Sequence, residues 1–408
     1  MCEEQATNTL RIVTISLMAH PDSTTVNDSF ATRLALVYAG FFLASGWQMP
    51  LFPVWLSARG LDPAAIGFAL AAYQAVRVVA TPAGTRLADR HGSLNAAIIA
   101  AAVATIAALA LLGTLSGFPL ILVATMLFGF ASAPLLPLID AYALRGLRLR
   151  ARSYGPVRVW GSVAFVVANV SGGWLLTVLA KSHLIWLIVA GNCALALLAL
   201  MLVRLPSEAR GPHAMSHGHL RQPGFLAIAA AGSLTQASHA VYYAFATLDW
   251  SAKGYGGTTI GVLWALGVVA EIVLFWLSAG LPPSLGPASL ILIGAVGAAL
   301  RWVVTAFDPP LALLAPLQLL HALSFGATHL GTMMYLTKAA PAGGRAAAQG
   351  DIATANTLMM AAATALAGVL YGVGGGHAYV AMAAIAAAGG AFALFARASY
   401  PHKSGVAG

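Results

Sequence analysis

The feature that most constrains this chain is a series of long apolar runs recurring almost from end to end. A helix rises 1.5 Å per residue, so crossing a hydrocarbon layer of about 30 Å takes about 20 apolar residues. Runs of that kind occupy 31–56, 64–85, 94–115, 118–142, 156–180 and 183–203. After a polar gap they resume at 224–250, 258–281, 286–306, 309–338, 349–373 and 377–397. None alternates with period two, and each is too long for a strand of a membrane barrel. With 60% apolar residues, 8% charged residues and a mean hydropathy of +0.83, the chain has too few polar groups to face water throughout. The pattern predicts an all-α polytopic membrane protein of twelve transmembrane helices.

The formal net charge of +9 raises the possibility of an acidic partner, but its placement points elsewhere. Arg86 and Arg90 lie in the second connection, Arg145, Arg148, Arg150 and Arg152 in the fourth, and Arg204, Arg210 and Arg221 in the middle segment. Lys338 and Arg345 follow in the tenth connection, and Arg397 and Lys403 at the end. The intervening connections hold only Arg59, Lys181 and Lys253. By the positive-inside rule this places both termini in the cytoplasm, with the basic loops against anionic lipid head groups and no nucleic acid involved. The expected location is the bacterial inner membrane. Residues 1–29 are polar, begin with Glu3 and Glu4 and do not suit a signal peptide; Met18 is an alternative start. Two cysteines, Cys2 and Cys193, form no disulfide framework or metal spacing, and His213, His217 and His219 read as solvated linker residues. No cofactor or metal is expected, and the chain is expected to act as a monomer. No G-x-S-x-G or H-E-x-x-H occurs, which argues against an enzyme.

The polar stretch 204–223 separates two six-helix halves, 31–203 and 224–397, flanked by cytoplasmic tails 1–30 and 398–408. An internal repeat supports the division. A shift of 194 residues lays Ser57-Ala58-Arg59-Gly60 on Ser251-Ala252-Lys253-Gly254, Ile66-Gly67 on Ile260-Gly261, and Gly92 on Gly286. Parallel six-helix repeats of this kind are the architecture of the major facilitator superfamily, whose substrate sits between the halves near the bilayer midplane. The second connection, Thr85-Arg86-Leu87-Ala88-Asp89-Arg90-His91-Gly92, resembles that superfamily's G-x-L-a-D-r-x-G-r-r loop, with Thr85 replacing the first glycine. The resemblance gives Asp89 and Arg90 the role of a cytoplasmic latch.

Ionisable groups inside spans are costly, so each is a candidate functional residue. They are Arg77, Asp140, Arg158, His239, Glu271, Arg301, His321 and His329, with Asp249 and Asp351 closer to helix ends. Glu271 lies 13 residues past 258, roughly 20 Å into its span. Arg301 and His321 reach similar depth on the next two spans, which suggests one coupled network; a structural ion pair is the competing explanation. Asp140 and Arg158 flank the fourth connection nearly symmetrically and form a candidate gate. Arg77 falls on Glu271 under the repeat, so the halves oppose opposite charges. It could receive a substrate carboxylate, brace the gate or partner Asp140. Tyr242 and Tyr243 follow His239 on one helical face and, with Trp264, are candidates to line a cavity.

The segment Ser153-Tyr154-Gly155-Pro156-Val157-Arg158-Val159-Trp160-Gly161-Ser162 resembles the Y-G-x-v-R-l-W-G-S signature of the 3-phenylpropionate permease group. Ser238-His239-Ala240-Val241-Tyr242-Tyr243, Leu263 to Glu271, Arg301-Trp302, Leu320-His321 and Thr328-His329-Leu330 extend the resemblance, which covers the chain from about residue 31. The group is related to lactose permease, a sugar–proton symporter in which a Glu, an Arg and a His on helices eight to ten bind substrate and handle the proton; Glu271, Arg301 and His321 match them. The carboxylate three residues after that His is replaced here by Ser324. The resemblance implies proton-coupled uptake of a small aromatic monocarboxylate such as 3-phenylpropionate. Arg301 or Arg77 would bind the carboxylate, His239, Tyr242, Tyr243 and Trp264 would add contacts, and Glu271 and His321, with His329, would carry the proton. Sugar or nucleoside symport, and export of amphipathic compounds, are the alternatives.

Overall fold

A computed structural model describes residues 29–206, 220, 222–282, 284–339 and 345–399. The tails and most of the 204–223 linker, including its three histidines, lie outside the described residues. Among those described there is no strand, and the helices run in the predicted order. The first six spans are Ser29–Ala58, Pro63–His91, Leu94–Thr114, Phe118–Ser132 continued by Leu135–Arg148, Gly155–Val178, and Leu184–Ala199. The second six are Pro223–Ala237 continued by Ala240–Ala252, Gly257–Leu277, Pro287–Ala306, Leu311–Leu319 continued by Thr328–Ala339, Arg345–Gly374, and Ala378–Ser399. Ten helical stretches are long and apolar enough to cross a membrane. The described total reaches twelve because one stretch, Ala347–Ala398, holds two spans joined at Gly375–His377, and because the seventh span is two pieces each too short to cross alone. The surface is apolar where lipid would lie: Leu120, Val123, Leu127 and Phe130 form one face of the fourth span and are each about half exposed.

The three interrupted spans have local causes. Pro134 lacks an amide hydrogen and its ring crowds the preceding turn, which divides the fourth span. No proline divides the seventh. There, Ser238 Oγ donates to the Thr235 carbonyl (2.6 Å) and His239 Nδ1 lies 3.2 and 3.1 Å from the carbonyls of Thr235 and Gln236, drawing those acceptors away from the helical ladder. In the tenth span a π-helical turn, Ala322–Ala327, begins immediately after His321. Such wide turns cluster at functional sites.

The second span is longer than the apolar run suggests. Its helix continues through Arg86, Asp89 and Arg90 to His91 and stops at Gly92, whose φ of 68° suits a residue without a Cβ. Asp89 and Arg90 are therefore exposed residues of a last helical turn rather than of a loop. The internal repeat is visible in the backbone: Gly60 and Gly254, equivalent under the 194-residue shift, both have a φ of +84°. Their basic neighbours are equivalent too. Arg59 donates to the Leu115 carbonyl and Ser116, while Lys253 pairs with Asp249 and Asp308.

The halves meet along two seams. A Cβ on Gly67 would lie 2.5 Å from Gly368 Cα, joining the second span to the eleventh, and one on Gly173 would lie 2.6 Å from Gly261 Cα, joining the fifth to the eighth. All four glycines sit near the ends that carry the sparsely charged connections, so the protein is shut on that side. A cleft between the halves is lined as far as Arg158 and Phe275, each within three residues of the end of its helix on the side of the basic connections.

Candidate functional site

The cleft has two lobes. One, about 260 Å³, holds Arg77 together with Ser45, Gln48, Gln74 and Asn192. The other, about 440 Å³, holds Arg158, Tyr242, Trp264, Glu271, His321 and His329. Met49, Phe165 and Tyr243 line both and form an apolar waist between them. Volumes of this size suit a small organic solute.

Arg77 is on the second span, one turn beyond Tyr73. Its guanidinium donates to Tyr73 Oη (3.0 Å) and Ser132 Oγ (3.4 Å) and lies over the Tyr73 ring. No carboxylate is paired with it among the described residues. The possible partnership with Asp140 is absent because Asp140 is engaged elsewhere: its Oδ1 accepts from Tyr38 Oη (2.6 Å) and Tyr154 Oη (3.0 Å). Arg158 stacks on Phe42 at 4.1 Å and approaches Tyr38 at 5.4 Å. Asp140 and Arg158 thus meet through Tyr38 and not as a direct ion pair.

In the second half, His321 is the centre. Arg301 Nη1 lies 3.2 Å from His321 Nδ1, Arg301 Nη2 donates to Gln318 Oε1 at 2.7 Å, and His321 Nε2 lies 3.5 Å from Glu271 Oε2. Arginine has only donors, so His321 Nδ1 must be the acceptor; the neutral ring then carries its hydrogen on Nε2, facing Glu271. The three groups expected at common depth are in one chain of contacts. Their access to the cleft differs. Glu271 and His321 line it, whereas Arg301 is fully buried, sandwiched by Tyr242 and Trp302 at 4.4 and 4.5 Å. Its Nε has no hydrogen-bond partner among the described residues.

His239 is also fully buried and does not line the cleft. Its Nδ1 faces carbonyl oxygens and must donate, so its Nε2 accepts from Ser324 Oγ at 3.0 Å. Ser324 therefore ties the break of the seventh span to the π turn of the tenth. Tyr242 packs on Trp264 with ring centroids 4.5 Å apart, and His329 stacks on Phe325 at the edge of the cleft. Gln318, Tyr38 and Tyr154 are partners that the sequence reading missed. Gln318 precedes His321 by one helical turn, a spacing that would have signalled a shared face.

A protein-family model described as the MFS_1 like family matches residues 31–381. The chain belongs to that family. This MFS_1-like protein is 32% identical over 311 residues to a probable 3-phenylpropionic acid transporter of Escherichia coli, covering 74% of this chain and 81% of the relative. It is 27% identical over 321 residues to a maltose permease of Geobacillus stearothermophilus, covering 76% and 79% respectively. Among solved structures it superposes on the nucleoside transporter NupG with a TM-score of 0.77 at 16% identity, covering 91% of this chain and all of the other. A bacterial homologue of the lysosomal transporter Spinster, in an inward-facing conformation, gives 0.68 at 13% identity over 92% of this chain and 98% of the other. The fold is that of the major facilitator superfamily, and the protein is a multi-pass membrane transporter, not an enzyme.

Proposed function

We propose that this MFS_1-like transporter couples proton entry to uptake of a small aromatic monocarboxylate, such as 3-phenylpropionate, across the bacterial inner membrane. The observation that carries the substrate is Arg77: a guanidinium facing the cleft, held by hydroxyl groups and, among the described residues, paired with no carboxylate. A substrate carboxylate would take charge-assisted hydrogen bonds there, while Tyr243, Tyr242 and Trp264 enclose the ring. The similarity to a probable 3-phenylpropionic acid transporter supports the same class. Arg301 and His239, both behind the cleft wall, act as positioning residues: Arg301 orients His321, and His239 holds Ser324.

Glu271 is the proposed proton carrier. It lines the cleft, and His321 presents an N–H toward it because Arg301 occupies the other ring nitrogen. His329 lines the same lobe and provides a route toward the basic side. With both termini and the 204–223 linker in the cytoplasm, the present conformation opens inward. The halves 31–203 and 224–397 would rock about the glycine seams to alternate access. The latch on the basic side would comprise Asp89, Arg90 and the Asp140–Tyr38–Arg158 group. The working unit is a monomer. Uptake of labelled 3-phenylpropionate into proteoliposomes, with and without an inward proton gradient, tests this directly. Gradient-driven accumulation is expected. Accumulation of maltose or a nucleoside instead would favour the second reading, sugar or nucleoside symport, which the similarity to a maltose permease supports.

A further inference from the structure

The cleft is more polar than an acid with a plain phenyl ring requires, and its polar groups stand at both ends. Arg77 and Glu271 are equivalent under the repeat, each 14 residues from the first residue of its helix, Pro63 or Gly257. They therefore lie at the same depth, about 21 Å from the shut end, on opposite halves. Between them is the waist of Met49, Phe165 and Tyr243. A ring seated in that waist with its carboxylate on Arg77 would direct its far edge into the second lobe. That lobe contains Glu271 and His329. The His329 ring is stacked on Phe325 and lies against Phe275, is exposed to the cleft, and has no hydrogen-bond partner for either nitrogen among the described residues. An unsubstituted ring edge would desolvate these groups and return nothing, a cost that sites of this kind impose on analogues lacking the matching polar group.

We propose that the transported acid carries a hydroxyl on the ring, remote from the carboxylate, and that His329 and Glu271 are the groups that read it. This deepens the monocarboxylate reading and rests on it. The hydroxyl would donate to the Glu271 carboxylate while an N–H of His329 donates to its oxygen. The pairing is compatible with proton coupling because a protonated Glu271 keeps a carbonyl oxygen that still accepts from the substrate hydroxyl, so proton and substrate can be bound together.

The test is equilibrium binding to the purified full-length protein, comparing 3-phenylpropionate with 3-(3-hydroxyphenyl)propionate and 3-(4-hydroxyphenyl)propionate. At least one hydroxylated acid should bind about tenfold more tightly than the parent, the gain of one good hydrogen bond to a charged or buried acceptor. That ratio should fall to about one in His329→Phe, which keeps the ring stack on Phe325, or in Glu271→Leu, which removes both oxygens, and should persist in Arg77→Gln even as all affinities drop. Equal or weaker binding of both hydroxylated acids, with the parent still bound, would overturn the hydroxyl proposal while leaving the monocarboxylate reading intact. A ratio retained in both His329→Phe and Glu271→Leu would remove these residues as its readers. Failure of all three acids to bind would remove the monocarboxylate reading itself.

Discussion

Arg77 and Arg301 are both guanidiniums in spans, yet their surroundings assign them different work. Arg77 faces the cleft, so Arg77→Gln should weaken binding of 3-phenylpropionate far more than of its uncharged amide, by about tenfold or more if a charge-assisted pair is lost. Arg301 is walled off by Tyr242 and His321, so Arg301→Gln should weaken acid and amide alike while altering the pH profile of uptake. Binding isotherms for both ligands in both variants check this; selective loss of the acid in Arg301→Gln would reverse the assignment. Glu271→Gln mimics a permanently protonated carboxyl. It should abolish gradient-driven accumulation and leave exchange of preloaded substrate measurable, because the loaded carrier can reorient but cannot discharge. Counterflow and accumulation in proteoliposomes between about pH 5.5 and 8 separate the two steps, a window that spans ordinary imidazole titration. Undiminished accumulation would transfer the proton to His321 or His329.

Backbone contact between helices is what shuts the protein on the sparsely charged side. At Gly67–Gly368 and Gly173–Gly261 the opposing backbones occupy the space a side chain would need. Gly67→Val or Gly173→Val should therefore hold the seam open. A cysteine introduced at Ser45, in a Cys193→Ser background, should then react several-fold faster with an impermeant maleimide added from that side. An unchanged rate would show that the seam is not the barrier. The same end carries an ion cluster. Lys253 pairs with Asp249 at 2.6 Å and with Asp308, and Tyr371 donates to Asp249 at 3.3 Å. Burial works against the Lys253 ammonium, but the hydrogen bonds to the two carboxylates outweigh it and raise its pKa. A raised pKa in the folded state means a stabilisation present in full below the unfolded value of about 10.4 and lost as pH climbs through the folded one. Lys253→Met should lower the Tm by a few degrees at pH 7, the partly exposed pair being worth little more. The gap should close above about pH 10.4; a gap that is flat or widens with pH would contradict the ion-pair origin.

At the scale of the molecule, the proposed orientation rests on the charge placement. In intact cells, with Cys2 and Cys193 replaced, an impermeant thiol reagent should label a cysteine at Ala252 and not one at Leu149. Both positions are exposed, and they sit at opposite ends of the bundle. The reverse result would invert the inward-open assignment and, with it, the direction in which the cleft delivers solute.

Twelve spans, two related halves and a family were legible in the sequence because each rests on local or periodic information. An apolar run of about 20 residues can bury its backbone polar groups in a bilayer only as a helix, and a repeat at 194 residues survives as a pair of identical turns at Gly60 and Gly254. Depth was legible too, since rise per residue is constant, and it brought Glu271, Arg301 and His321 to one level. Which way each side chain points was not. Arg301 and Arg77 are alike in sequence terms, and only the packing of Tyr242 and His321 closes one off from the cleft. The break at His239 has no proline to announce it, because its cause is a competition for carbonyl oxygens that exists only once the turn is formed. Asp140 could have paired with either arginine; the tertiary structure gives it to Tyr38 and Tyr154, residues 102 and 14 positions away, since contacts between spans depend on helix rotation that no single helix encodes.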